Sequence, residues 1–200
     1  MHRFYLAAVD LLPGALLMIP VFLLLNMVYF RNVRKSTLYF LFSCYLCVIY
    51  VLVGLPTVTY IRPEINLNPI PFIGMIADFK NSILNILLFL PLGVALPILW
   101  HRFQTAKATT LFGFGMSLTI ELLQMLTFRA TDVNDLITNT LGTFFGFLCA
   151  KSILKKSAAA AHTADLTAPS ELVMLLLMVL IVMFFVYPFV SAALWDFILS

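Results

Sequence analysis

The chain has 200 residues, of which 62% are hydrophobic and only 10% charged, with a formal net charge of +3. A soluble domain is about 45–50% apolar and about 25% charged, so soluble, disordered, collagen-like and coiled-coil classes are excluded. So small a net charge gives no reason to expect a nucleic-acid partner. The composition is that of an all-α, polytopic helix bundle of the cell membrane.

A helix needs about 20 apolar residues to cross about 30 Å of hydrocarbon, because each residue rises about 1.5 Å. Cutting the chain at its charges predicts spans at 11–30 and 36–61. The first run follows Met-His-Arg and lacks a small-residue cleavage site, so it is expected to be a retained transmembrane helix. Cys44-Tyr-Leu-Cys47 has C-x-x-C spacing, but its flanks are hydrocarbon and no second pair or neighbouring His accompanies it. Those cysteines read as small apolar packing residues. Residues 65–77 contain Pro69 and Pro71, and are expected to form a non-spanning interfacial or re-entrant loop. The third span is predicted at 81–100.

The next two segments are more informative. Residues 108–120, ahead of Glu121, reach only about 20 Å, too short to span. Helices at 108–128 and 132–150 become long enough only by taking carboxylates into the membrane or its interface. Glu121 would then lie about 10 Å below its helix end. Residues 155–171, with an alanine run, are expected to be a cytoplasmic linker. A sixth helix at 172–195, kinked by Pro188, follows the five-helix core of residues 1–154. Arg31, Arg34, Lys35, Arg102, Lys107, Lys151, Lys155 and Lys156 fall on one side of these spans, and Arg3, Arg62, Lys80 and Arg129 on the other. The excess of basic residues on the cytoplasmic side puts both termini outside.

The polar residues inside the spans form a pattern. Glu121 and Gln124 are three apart and share a helix face; Asp132, Asp135 and Asn139 form a stripe on the next helix. Arg129 lies in the short turn between those helices, and Asn85 lies one turn into the third span. All are expected at the outer ends of helices three, four and five, with four and five as antiparallel neighbours. Ionisable groups inside a membrane commonly mark functional sites, although polar residues also glue spans together. Gly142-Thr-Phe-Phe-Gly146 is a small-xxx-small pattern, read as close packing within the monomer, and Gly113 and Gly115 are expected to serve the same purpose.

At these residues the chain resembles the VanZ-like family of multipass membrane proteins. The matching pieces are Asn85-Ile-Leu-Leu-Phe-Leu-Pro91-Leu-Gly93, Ser117-Leu-Thr-Ile-Glu121-Leu-Leu-Gln124 and Arg129-Ala-Thr-Asp132-Val-Asn-Asp135-Leu-Ile-Thr-Asn139-Thr-Leu-Gly142. Asn68-Pro-Ile-Pro-Phe72 resembles the family's loop before helix three, and the resemblance runs from about Ser36 to Lys151. It implies a cell-envelope protein; the family takes its name from a member associated with low-level resistance to teicoplanin-type glycopeptides.

Two functions compete for these residues. In an enzyme acting at the outer leaflet, Glu121 and Asp135 are the catalytic candidates, because a Glu in apolar surroundings holds its proton more tightly and can exchange it near neutrality. Arg129, whose planar fork matches phosphate oxygens, would bind substrate together with Gln124, Asn85, Asp132 and Asn139. In a non-catalytic binder or shield the same groups would only recognise a ligand. A transporter fits less well, since the charge gathers at one end and not near the midplane. The expected partners are membrane lipids and a lipid-linked cell-wall precursor or a glycopeptide; the oligomeric state is open. No cofactor is expected, and His2, His101 and His162 lie outside the cluster, which argues against zinc. A Mg²⁺ or Ca²⁺ ion on Asp132, Asp135 and Asn139 is the metal chemistry left open.

Overall fold

The computed structural model of the protein describes residues 2–63, 67–68, 70, 72, 79–127, 131–156 and 168–199. Six helices run through the described residues. They are α1 (His2–Leu25, continued by a π-turn at Asn26–Phe30), α2 (Val33–Leu52), α3 (Phe79–Leu99), α4 (Ala106–Gln124), α5 (Val133–Lys156) and α6 (Pro169–Ile181, a π-turn at Val182–Val186, then Tyr187–Leu199). Two-residue extended segments, β1 (Leu67–Asn68) and β2 (Thr131–Asp132), lie between them. Five segments are long and apolar enough to cross a membrane: Val9–Phe30, Val33–Leu52, Phe79–Leu99, Val133–Lys155 and Ser170–Leu199. With 19 residues, α4 has the length, about 28 Å, but Lys107, Glu121 and Gln124 keep it out of that apolar set. The protein is thus an all-α, multipass membrane protein.

The chain divides into two compact units, Met1–Ile61 with Ser170–Ser200, and Arg62–Pro169. In the first, α2 stops nine residues short of the expected end at 61. Gly54 adopts φ 64°, which glycine reaches without a Cβ clash. Leu55 N–H reaches back to the Tyr50 carbonyl at 3.1 Å, the six-to-one bond that closes a helix on a left-handed residue. Pro56 follows, and its carbonyl accepts from the Tyr50 hydroxyl. An absence of charges had masked these local stop signals. Gly14 of α1 faces Cys47 of α2, where an added Cβ would lie 3.1 Å from Cys47 Cβ; all three cysteines are free thiols.

Pro188 acts on α6 through its missing N–H, as expected, but the helix answers with the π-turn at Val182–Val186. The Phe184 carbonyl, four residues before the proline, loses its helical donor. It accepts instead from Val58 N–H at 3.0 Å. An unpaired carbonyl in an apolar medium costs several kcal/mol at about the scale of a lost hydrogen bond, so the turn after α2 is tied to α6 at that point.

In the second unit α3 and α5 run parallel and pack backbone to backbone. A Cβ on Gly93 would lie 2.0 Å from the Thr143 carbonyl oxygen, and one on Gly146 would lie 2.1 Å from that of Leu90. Gly142 meets the Ile86 carbonyl in the same way, at 2.4 Å. On the other side of α5, a Cβ on Gly113 of α4 would lie 2.4 Å from Thr143 Oγ1. Gly115 has nothing within 4 Å of its Cβ position, contrary to the packing role expected for it. It lies two residues from Gly113, which rotates it about 200° round the helix.

Candidate functional site

The site is built at one end of the second unit, where α4 ends and α3 and α5 begin. The expected extension of helix four to 128 does not occur. After Gln124 the chain tightens: Leu126 N–H bonds the Leu123 carbonyl at 3.0 Å and Thr127 N–H that of Gln124 at 2.9 Å. The Leu126 carbonyl then accepts from Arg62 N–H at 2.8 Å. The last orphan carbonyls are thus satisfied outside an α-helix. Glu121 accordingly sits one turn, about 4.5 Å, from the helix end and not about 10 Å below it.

Helix five is also displaced from its expected range of 132–150. Asp132 is its N-cap, its Oδ1 accepting from Asn134 N–H at 2.8 Å. This is the side-chain bond that starts helices at Asp, Ser, Thr and Asn. At the far end the helix continues through Lys151 and Lys155 to Lys156. Lys151 and Lys155 are exposed, and lysines near the end of a span can carry their charge to water on long apolar stems, so the span gains its length from lysines as well as from its acids.

Hydrogen bonds join the three helices. The Glu121 carboxylate accepts from Asp132 N–H at 2.9 Å, and the Thr131 hydroxyl donates to the Glu121 backbone carbonyl at 3.1 Å. The Asp135 carboxylate accepts from Asn85 Nδ2 at 2.7 Å, which ties α5 to α3. Deeper in the bundle, Asn139 Nδ2 donates to Ser117 Oγ at 2.9 Å. Glu121 is 3% exposed and Gln124 6%, so neither head group is open to bulk solvent. Asp132 and Asp135 are partly exposed at the rim.

Six of the seven residues singled out from the sequence therefore lie at or just below this end. The seventh, Arg129, falls outside the described residues. Asp132, Asp135 and Asn139 each hydrogen-bond a different partner. Among the described residues, no three His, Cys, Asp or Glu side chains are grouped to hold a metal ion.

Some contributors were missed. Asn134 is buried, and its Oδ1 accepts from Phe72 N–H at 2.7 Å. The segment before α3 does not merely rest at the interface. Leu67 and Asn68 pair in parallel with Thr131 and Asp132, and Arg62 bridges Thr127 in the same sense. Leu67, Asn68 and Phe72 thus lie beside the start of α5, as parts of a strap. The prolines that rule out a helix there signal an extended chain, but nothing local names its partner.

A multipass helix bundle with amide and carboxylate side chains cross-linking one end of three neighbouring helices is the class these features define. The family model for VanZ/LLP1 matches residues 40–155. The matched stretch contains α3, α4 and all but the last residue of α5, together with the strap, and the chain belongs to that family. It is also 34% identical over 90 residues to Protein VanZ of Enterococcus faecium, an overlap covering 44% of this chain and 52% of that protein. The chain thus spans about half the length of the curated relative it matches. No solved structure matches it.

Proposed function

We propose that this VanZ-like membrane protein binds, or acts on, a lipid-linked cell-wall precursor at the outer leaflet, through the polar end of α3, α4 and α5. The reading places both termini outside, so that this end faces the exterior. It is carried by one observation: Glu121, Asp132, Asp135 and Asn85 are cross-linked at one end of the bundle, in the part of the chain that defines the family. Arg129, between β2 and α4 in sequence, would hold a phosphate, and the carboxylates would take the hydroxyl or amide groups of the head. A link to glycopeptide resistance is part of the same proposal.

A second reading is that of a non-catalytic brace or shield. It is favoured by the commitment of Glu121 and Asp135 to hydrogen bonds within the bundle.

The test uses the purified chain in lipid, incubated with polyprenyl-phosphate lipids, with products analysed by mass spectrometry. Glu121→Gln keeps an oxygen to accept from Asp132 N–H but cannot transfer a proton. Turnover lost in that variant supports an enzyme. Saturable binding with unchanged lipid supports a binder, and neither turnover nor binding leaves the brace. Labelling of a Phe128→Cys variant from outside intact cells, above the background of the parent chain, is expected for this orientation. Labelling only from the cytoplasm overturns it.

A further inference from the structure

Two described non-glycine residues have positive φ, Arg31 at 48° and Phe72 at 67°. Arg31 closes the π-turn that ends α1. Phe72 has no helix to close. In the left-handed region a Cβ crowds the neighbouring carbonyl, so glycine or asparagine is the residue expected there. Burial of the ring does not offset this strain, because Phe72 is 67% exposed. Ile70, two residues earlier on the strap, is 55% exposed.

The backbone of Phe72 is nevertheless held firmly. Its N–H donates to Asn134 Oδ1 at 2.7 Å, and Asn134 in turn donates its own N–H to the Asp132 carboxylate. A strained backbone, a buried amide that fixes it and an outward-facing ring thus meet at the edge of the carboxylate cluster. Such strain persists where the surroundings enforce it, and it gathers at ligand-binding positions.

We infer that Phe72 is a specificity-determining residue for an amphiphilic ligand. Its ring packs against the hydrocarbon chain of a lipid phosphate, whose phosphate is left to Arg129 while only uncharged hydroxyl or amide groups of the head lie toward Asp132 and Asp135. The inference rests on the proposed function and narrows it: the ligand brings its own apolar chain, and a water-soluble head group alone binds poorly. The chain could be isoprenoid or acyl, chemistries that share the apolar contact.

The experiment places the full chain in phosphatidylcholine nanodiscs and titrates three probes, a polyprenyl monophosphate, phosphatidic acid and inorganic phosphate, read by native mass spectrometry. The parent chain is expected to retain at least one lipid phosphate and not inorganic phosphate; which lipid is retained identifies the chain type. Phe72→Gly removes the ring and relieves the strain. It should weaken that retention about tenfold or more, with a melting temperature unchanged or raised. Phe72→Trp should restore binding. If the parent chain binds and Phe72→Gly binds equally well, this inference alone fails. A fall in melting temperature that accompanies the loss, with no rescue by Phe72→Trp, makes Phe72 structural and also overturns it. If the parent chain retains neither lipid, the proposed function fails with it.

Discussion

The two units of the molecule handle their polar groups in opposite ways. In the unit made by α1, α2 and α6, Lys35 Nζ lies 2.6 Å from Glu171 Oε1, and the Tyr39 hydroxyl donates to the other carboxylate oxygen. Asp10 takes the Trp195 indole N–H at 2.9 Å, and its carbonyl takes the Tyr187 hydroxyl. The polar contacts are spread along the unit, at separate helix ends, and a shallow apolar groove of about 600 Å³ runs along α6 from Ser170 to Val182. In the α3–α5 unit, carboxylates and amides gather at one end, and the helices below are pressed together through glycines. Pairing that is dispersed stabilises spans; pairing that is concentrated at one end, beside an extended strap, makes a place where chemistry or recognition can occur.

The largest expected effect breaks the glycine contacts of the second unit. Gly93→Ala and Gly146→Ala each drive a Cβ into a backbone carbonyl, and neither helix can yield by moving a side chain. A loss above about 3 kcal/mol is expected, seen as little folded protein in a detergent thermal melt. Normal melting of either variant would mean that α3 and α5 are not packed so closely.

Next comes the ion pair of the first unit. Glu171→Leu leaves Lys35 without its carboxylate; the pair is partly buried, so the cost should lie below the about 3–5 kcal/mol of a fully buried pair. The double variant Lys35→Met, Glu171→Leu should recover most of that stability. A double-mutant cycle on melting temperature measures the coupling, and strict additivity would show that the pair contributes nothing.

Asp135→Asn sharpens the comparison from the other side. Its amide oxygen can still accept from Asn85, so stability should change by less than about 1 kcal/mol, while the proposed lipid binding or turnover should be lost. Arg129→Ala should lose the same binding or turnover with normal insertion. Loss of the protein itself in both variants, judged by membrane abundance, would return the cluster to a bracing role. The smallest effect is at Gly115, where open space surrounds the Cβ position. Gly115→Ala should stabilise α4 by up to about 1 kcal/mol, and destabilisation would place an unseen neighbour there.

Much of this contrast was legible beforehand. Glu121, Asp132 and Asp135 stood out because they interrupt runs that must otherwise be apolar, and Gly142 and Gly146 because of their spacing. Glu171 was not singled out. It sits at the edge of a long apolar run, and its partner Lys35 is 136 residues away, so no local pattern couples them. Asn134 carries no signal of its own between two carboxylates in the sequence. Its role depends on Phe72, from a strap whose pairing has no periodic signal. The end of α2 was misplaced for a different reason: its stop is conformational, at Gly54, and charge marks nothing there.

What the amino-acid order alone determined is the class of molecule, the six helices among the described residues, and the end of the bundle at which the acids lie. Each of these follows from apolar run length and helical repeat, which are local properties. Only the tertiary structure decided which acid meets which donor, how near the helix end Glu121 lies, and that a strap lies against the start of α5. Those depend on hydrogen bonds between residues far apart in the chain, and on where backbone groups that a helix leaves unpaired find their partners.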